Sequence, residues 1–265
     1  MNRQTPQGGD QARGLRHLFR GPALSHIGLV ANPYLDNSEV GVVLERITAA
    51  LGLLGRRTLV IDAADTSPRA PEGVAIDLGM CIETLSPDIW YLPARGLPKR
   101  FVDTRGSSAR LVEQAVAACP GVDVVLVHAT APDLARLYAR GSLRPLYLAA
   151  DQPESVKHAY AAMKMFAQRC QWLSADLLLV GADASGRLPH IAKSLTSCAE
   201  AYVGATVTGW ASVDPRVSPA DPPDPTLCRL VAGQLGINDA FSVAPGVKEV
   251  TNRGFTLTQN QAGAM

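Results

Sequence analysis

The chain has 265 residues, with 25 Lys or Arg against 24 Asp or Glu and a net charge of +1. That balance gives no bulk electrostatic pull toward nucleic acid or an anionic membrane, so neither direct nucleic-acid binding nor membrane contact is expected. Hydrophobic residues at 47% and charged residues at 18% exclude wholesale disorder and suit one large α/β domain with tails.

In chain order, 1–22 reads as a flexible N-terminus carrying one short helix at 10–19. Asp10 can cap it, and Ala12, Leu15, Leu18 and Phe19 fall on one face at helical spacing. Gly21-Pro22 ends it. A body follows over 25–213. Its predicted strands are Ile27–Ala31, Thr58–Ile61, Ile89–Pro93, Val122–His128, Arg144–Ala149, Ala175–Gly181 and Ala205–Trp210. Between them lie predicted helices at Val42–Leu54, Ser107–Ala118, Asp133–Arg140, Asp151–Arg169 and Leu188–Cys198. Strands alternating with helices predict a doubly wound, mostly parallel sheet with helices on both faces. The stretch 214–265 reads as a Pro-rich linker, a short helix at Thr226–Gln234 and a mobile, polar tail without a basic amphipathic pattern. Cys81, Cys119, Cys170, Cys198 and Cys228 are scattered, none within four residues of another. That spacing suits neither zinc nor a redox pair and predicts reduced thiols in a cytoplasmic protein.

The turn after the first strand, Asn32-Pro-Tyr-Leu-Asp-Asn-Ser-Glu-Val-Gly41, lies where doubly wound folds hold phosphate. A working phosphate loop offers small residues, a lysine and a hydroxyl for Mg²⁺. This one has two carboxylates, Asp36 and Glu39, and no Lys or Arg occurs between Arg20 and Arg46. Like charge repels phosphate, by about 1 kcal/mol per pair at 4 Å in water and more in a dry site.

The unit over 27–62, and above all Leu54-Gly-Arg-Arg-Thr-Leu-Val-Ile-Asp-Ala63, resembles the MinD/ParA class of P-loop ATPases. In that register Leu35 stands at the signature lysine, Val40 at the phosphate-loop lysine and Gly41 at the Mg²⁺ hydroxyl. Asp62 keeps the strand-terminal aspartate, whereas His128 replaces a metal-linked aspartate. The resemblance therefore implies the fold without its cofactors: neither ATP nor Mg²⁺ binding is expected. Leu92–Leu97 and Ala149–Phe166 resemble the MinD-like branch as well.

The segment Asp10-Gln-Ala-Arg-Gly-Leu-Arg16 resembles the DQAxxLR motif of FlhG/FleN proteins, regulators of flagellar number and placement. In that family it docks on the signal-recognition-type GTPase FlhF and stimulates GTP hydrolysis. Asp10, Gln11, Leu15 and Arg16 are the matching positions. The resemblance implies a flagellar GTPase as partner, with C-ring components or a flagellar transcription regulator as partners of the body and recruitment to the cell pole through them. Two rival readings stay open: an active MinD/ParA-like ATPase with an unconventional loop, and a non-flagellar scaffold of cellulose or pilus secretion.

Overall fold

The structure, a computed structural model, describes residues 24–70, 77–139, 141–182 and 185–237. The N-terminal segment 10–19, with Asp10, Gln11, Leu15 and Arg16, and the tail from 238 lie outside the described residues.

The described chain runs β1 (Ser25–Val30), α1 (Asn37–Leu53), β2 (Thr58–Asp62), β3 (Glu83–Ser86), β4 (Ile89–Pro93), α2 (Leu97–Arg100), α3 (Ala109–Ala118), β5 (Val124–Ala129), α4 (Ala131–Leu137), β6 (Leu146–Ala150), α5 (Pro153–Cys170), β7 (Ser174–Val180), α6 (Arg187–Cys198), β8 (Thr206–Val213) and α7 (Pro225–Gln234). The strands form one eight-stranded sheet in the order β3-β4-β2-β5-β1-β6-β7-β8, with every pairing parallel except β3 on β4. The doubly wound, mostly parallel sheet predicted from the alternation is the observed architecture. Its central strands are buried on both faces, which is why they read as unbroken apolar runs.

The short antiparallel edge β3 has no counterpart in the sequence reading. Its Glu83, Thr84 and Leu85 are exposed, so burial leaves no alternating pattern there. Helix α1 begins at Asn37, five residues before the predicted start at Val42. Asp36 is its N-cap and Glu39 its third residue, and together they form a capping box.

The two faces of the sheet are unequally covered. One core packs α2 to α6 through Leu97, Leu111, Leu134, Phe166 and Leu195. Among the described residues the other packs only α1, through Val43, Ile47 and Leu51, and α7, through Leu227 and Val231. Eight strands at about 4.8 Å spacing span roughly 34 Å, whereas two helices about 10 Å apart cover roughly 20 Å. The shortfall falls on the β2-β4-β3 side, where a cavity of about 690 Å³ opens beside α1. The Pro-rich stretch is held against α1 by Arg46. Its guanidinium donates from Nη1 to the Asp221 carbonyl and from Nη2 to the Ser218 carbonyl, both at 2.6 Å.

Candidate functional site

The crevice of a doubly wound sheet opens where neighbouring strands send their chains to opposite faces. Here that place is the carboxyl end of β1 beside β5: the loop after β1 feeds α1 on one face, and the loop after β5 feeds α4 on the other. The loop after β1 is pinned at its second residue. Buried Asn32 donates from Nδ2 to the carbonyls of Leu148 (2.8 Å) and Ser155 (3.0 Å), and its Oδ1 accepts from the Tyr34 backbone N–H. Leu35 turns inward and is 2% exposed. Tyr34 meets His158 of α5 edge to face.

The first N–H groups of a helix normally form an anion cradle. In α1 two of the N–H groups at this end, those of Asp36 and Glu39, bond the protein's own carboxylates. Asp36 Oδ1 accepts from the Glu39 N–H at 2.8 Å and from Ser38 Oγ at 2.6 Å. Glu39 Oε2 accepts from the Asp36 N–H at 2.9 Å. The Ser38 hydroxyl and the Glu39 N–H hold the Asp36 carboxyl below its ordinary value, so it is ionised at neutral pH. Val40 is buried in the core beneath α1, and Gly41 is exposed with open space around it.

The crevice that remains measures about 260 Å³, below the roughly 300–1,000 Å³ of ordinary ligand sites. It is lined by Ala31, Asn32 and Pro33 after β1, Asp65 and Thr66 after β2, Thr130 after β5, and His158 and Met165 of α5. No lysine or arginine lines it. Burial pushes the His158 imidazole down, so it is neutral at pH 7.

The strand ends nearby carry a buried polar cluster. Asp62 and His128 are register partners on β2 and β5. Their Oδ1 and Nδ1 atoms are 2.7 Å apart, with Asp62 5% and His128 1% exposed. Ser67 Oγ also donates to Asp62 Oδ1, and the Tyr91 hydroxyl donates to Oδ2 at 2.8 Å. Burial alone would raise the Asp62 carboxyl, but His128, Ser67 and Tyr91 outweigh it and hold the group below its ordinary value. The same burial and the Asp62 carboxylate push the Tyr91 phenol up, so it stays a donor. An ionised carboxylate only accepts, which places the shared proton on His128 Nδ1. His128 Nε2 is buried without a hydrogen-bond partner.

The structure thus separates the sequence-flagged residues. Asp36 and Glu39 cap α1, Leu35 and Val40 are core, and Asp62 with His128 form one pair. Asp36, Asp62 and Asp65 form no metal-ligand group; none occurs among the described residues. Sequence reasoning missed Asn32, Ser67 and Tyr91. Tyr91 shares strand parity with Ile89, which marked its face but not its partner. No described helix is long and apolar enough to cross a membrane.

No protein-family model matches the chain, and no curated protein matches its sequence. Solved structures do match. McdA of Cyanothece, in a complex with ATP, gives a TM-score of 0.56 at 12% identity over 82% of this chain and 98% of that one. The MinD cell division protein of Aquifex aeolicus gives 0.55 at 11% identity over 80% and 97%. The cell division ATPase MinD of Pyrococcus furiosus gives 0.51 at 14% identity over 80% and 98%. The fold is that of MinD/ParA-type P-loop ATPases.

Proposed function

We propose that this protein is a regulator of flagellar biosynthesis built on a MinD-like fold whose nucleotide switch has been lost. The carrying observation is the start of α1. There the Asp36 and Glu39 N–H groups bond the carboxylates of Glu39 and Asp36 instead, and no lysine or arginine lines the neighbouring crevice between the loops after β1, β2 and β5. A nucleoside triphosphate with Mg²⁺ does not fit these residues. Two carboxylates already occupy the anion position, and His128 stands opposite Asp62 where a second metal-linked carboxylate would be needed.

A body of this kind serves as a scaffold, and the activity resides in Asp10–Arg16. The segment binds the flagellar signal-recognition-type GTPase and stimulates its GTP hydrolysis. The Gln11 amide can order an attacking water or a catalytic loop of the partner. Leu15 enters an apolar groove of the partner, and Arg16 pairs with an acidic group. The body binds C-ring components or a flagellar transcription regulator, and these bring the protein to the pole.

The test follows GTP hydrolysis by the purified flagellar GTPase alone, with this protein, and with its Gln11→Ala/Leu15→Ala variant. Stimulation by the parent and none by the variant supports the reading. Equal rates in all three reactions reject it. Calorimetric titration with ATP and Mg²⁺ is expected to give no heat of binding.

A further inference from the structure

Among the described residues, the sparsely covered side of the sheet holds a cavity of about 690 Å³, against about 260 Å³ in the crevice at the ends of β1 and β5. It is a groove. One wall is α1, with Val40, Gly41, Leu44 and Thr48. The floor is Val60, Ile89 and Tyr91, and the far wall is β3 with Leu85. Leu85 is 60% exposed, so the far wall presents an apolar side chain to the groove. Gly41 has no side chain and nothing near its Cβ position, which widens the groove mouth.

We propose that the groove receives residues 10–19 of this same chain, so that the segment read above as the GTPase activator is held on its own body until a partner takes it. Reach favours this occupant. Ser25, Val124, Thr58 and Ile89 lie in one row across β1, β5, β2 and β4. Three strand spacings put Ser25 about 14 Å from the lower end of the groove. From Phe19 to Ser25 the chain can stretch about 20 Å. Ten helical residues are about 15 Å long, and the floor from Thr58 to Asp62 rises about 13 Å.

Chemistry favours it as well. Leu15, Leu18 and Phe19 supply one apolar face for an apolar floor. Entering from below, the segment runs antiparallel to the strands. Arg16 and Arg20 then lie toward the end where Glu45 lines α1 and Asp88 precedes β4, and Asp10 toward the end where Arg95 stands. Residues 238–265 start farther away. The last residue of α7, Gln234, is bonded to Asp176 on β7, five strands from β4, or about 24 Å. Their sequence offers no comparable apolar stripe.

The test uses the full chain without any partner. A benzophenone amino acid replaces Leu44 in one variant and Leu85 in another, and photoproducts are mapped by peptide mass spectrometry. A 1:1 mixture of ¹⁵N-labelled and unlabelled chains separates crosslinks within a chain from those between chains. The expected product joins both positions to 10–20 within one chain. It falls by about tenfold or more on adding Leu15→Asp/Leu18→Asp, because each leucine lost from an apolar site weakens docking by about that factor. Circular dichroism checks that the body stays folded. Crosslinks to 71–76, to 238–265 or to a second copy, or solvent adducts alone, would each overturn the proposal. The docking reading is independent of GTPase stimulation: a chain that crosslinks but does not stimulate keeps the docking and loses only the function above. With both, Gly41→Trp, which fills the groove mouth, is expected to raise stimulation.

Discussion

His128 Nδ1 lies 2.7 Å from Asp62 Oδ1 across two adjacent parallel strands, and both side chains are buried. Asp62 also accepts from Ser67 and Tyr91, so one carboxylate ties together β2, β4, β5 and the loop after β2. Asp62→Ala strands three polar groups at once and is expected to cost about 3 kcal/mol in chemical denaturation. A loss below about 1 kcal/mol would show that water replaces the carboxylate freely.

The same cluster predicts a pH dependence. The folded-state carboxyl of Asp62 titrates below its unfolded value. Its contribution is therefore complete above the unfolded pKa near 4 and is lost as pH falls through the folded value. Unfolding followed from pH 7 to pH 3 should show the gap between the parent and Asp62→Asn narrowing only below about pH 4. A gap that is constant with pH would rule out an ionised Asp62.

Arg46 is a buried cation held chiefly by neutral carbonyls. Its side chain is 4% exposed, and its one carboxylate contact, to Glu45, is 3.4 Å long. Replacing it by Ala frees the Ser218 and Asp221 carbonyls and releases the stretch before α7. The expected loss is about 2–4 kcal/mol. Hydrogen exchange should rise in α7 before it rises in β5. Lysine, which lacks the planar fork that reaches both carbonyls, is expected to rescue it only in part.

Two glycines have opposite prospects. A Cβ on Gly28, in β1, would meet Leu143 Cδ2 at 2.2 Å, so Gly28→Ala is expected to destabilise by about 1–3 kcal/mol. Gly41 lies within α1 with nothing inside 4 Å of a Cβ, so Gly41→Ala is expected to stabilise by about 0.5–1 kcal/mol. Thermal melts of the two variants should move in opposite directions.

Removing the two carboxylates at the start of α1 probes the lost switch. Asp36→Gly/Glu39→Ala should let inorganic phosphate raise the melting temperature, because free N–H groups at a helix start attract anions. It should not create ATP binding, since the crevice keeps its size and gains no cation. ATP binding by this variant would mean that the carboxylates alone had closed the site.

Much of this architecture could be read in the sequence for a plain reason. Apolar runs such as Val124–Val127 and Leu177–Val180 are forced by burial on both faces of a parallel sheet, and helical spacing alternates with them. The absence of lysine and arginine between Arg20 and Arg46 is also a property of the sequence alone. What Asp36 and Glu39 do there was not legible. As loop residues they are two repelling charges; as N-cap and third residue of α1 they bond the N–H groups that an anion would need, and only the position of the helix start decides between these. Tertiary structure also decided the partners of Asp62. His128, Ser67 and Tyr91 lie 66, 5 and 29 residues from it in sequence, and strand order alone brings them together. The exposed edge β3 arises likewise from its place at the end of the strand order, and the groove beside α1 from how many of the described helices cover each face, neither set by any local pattern.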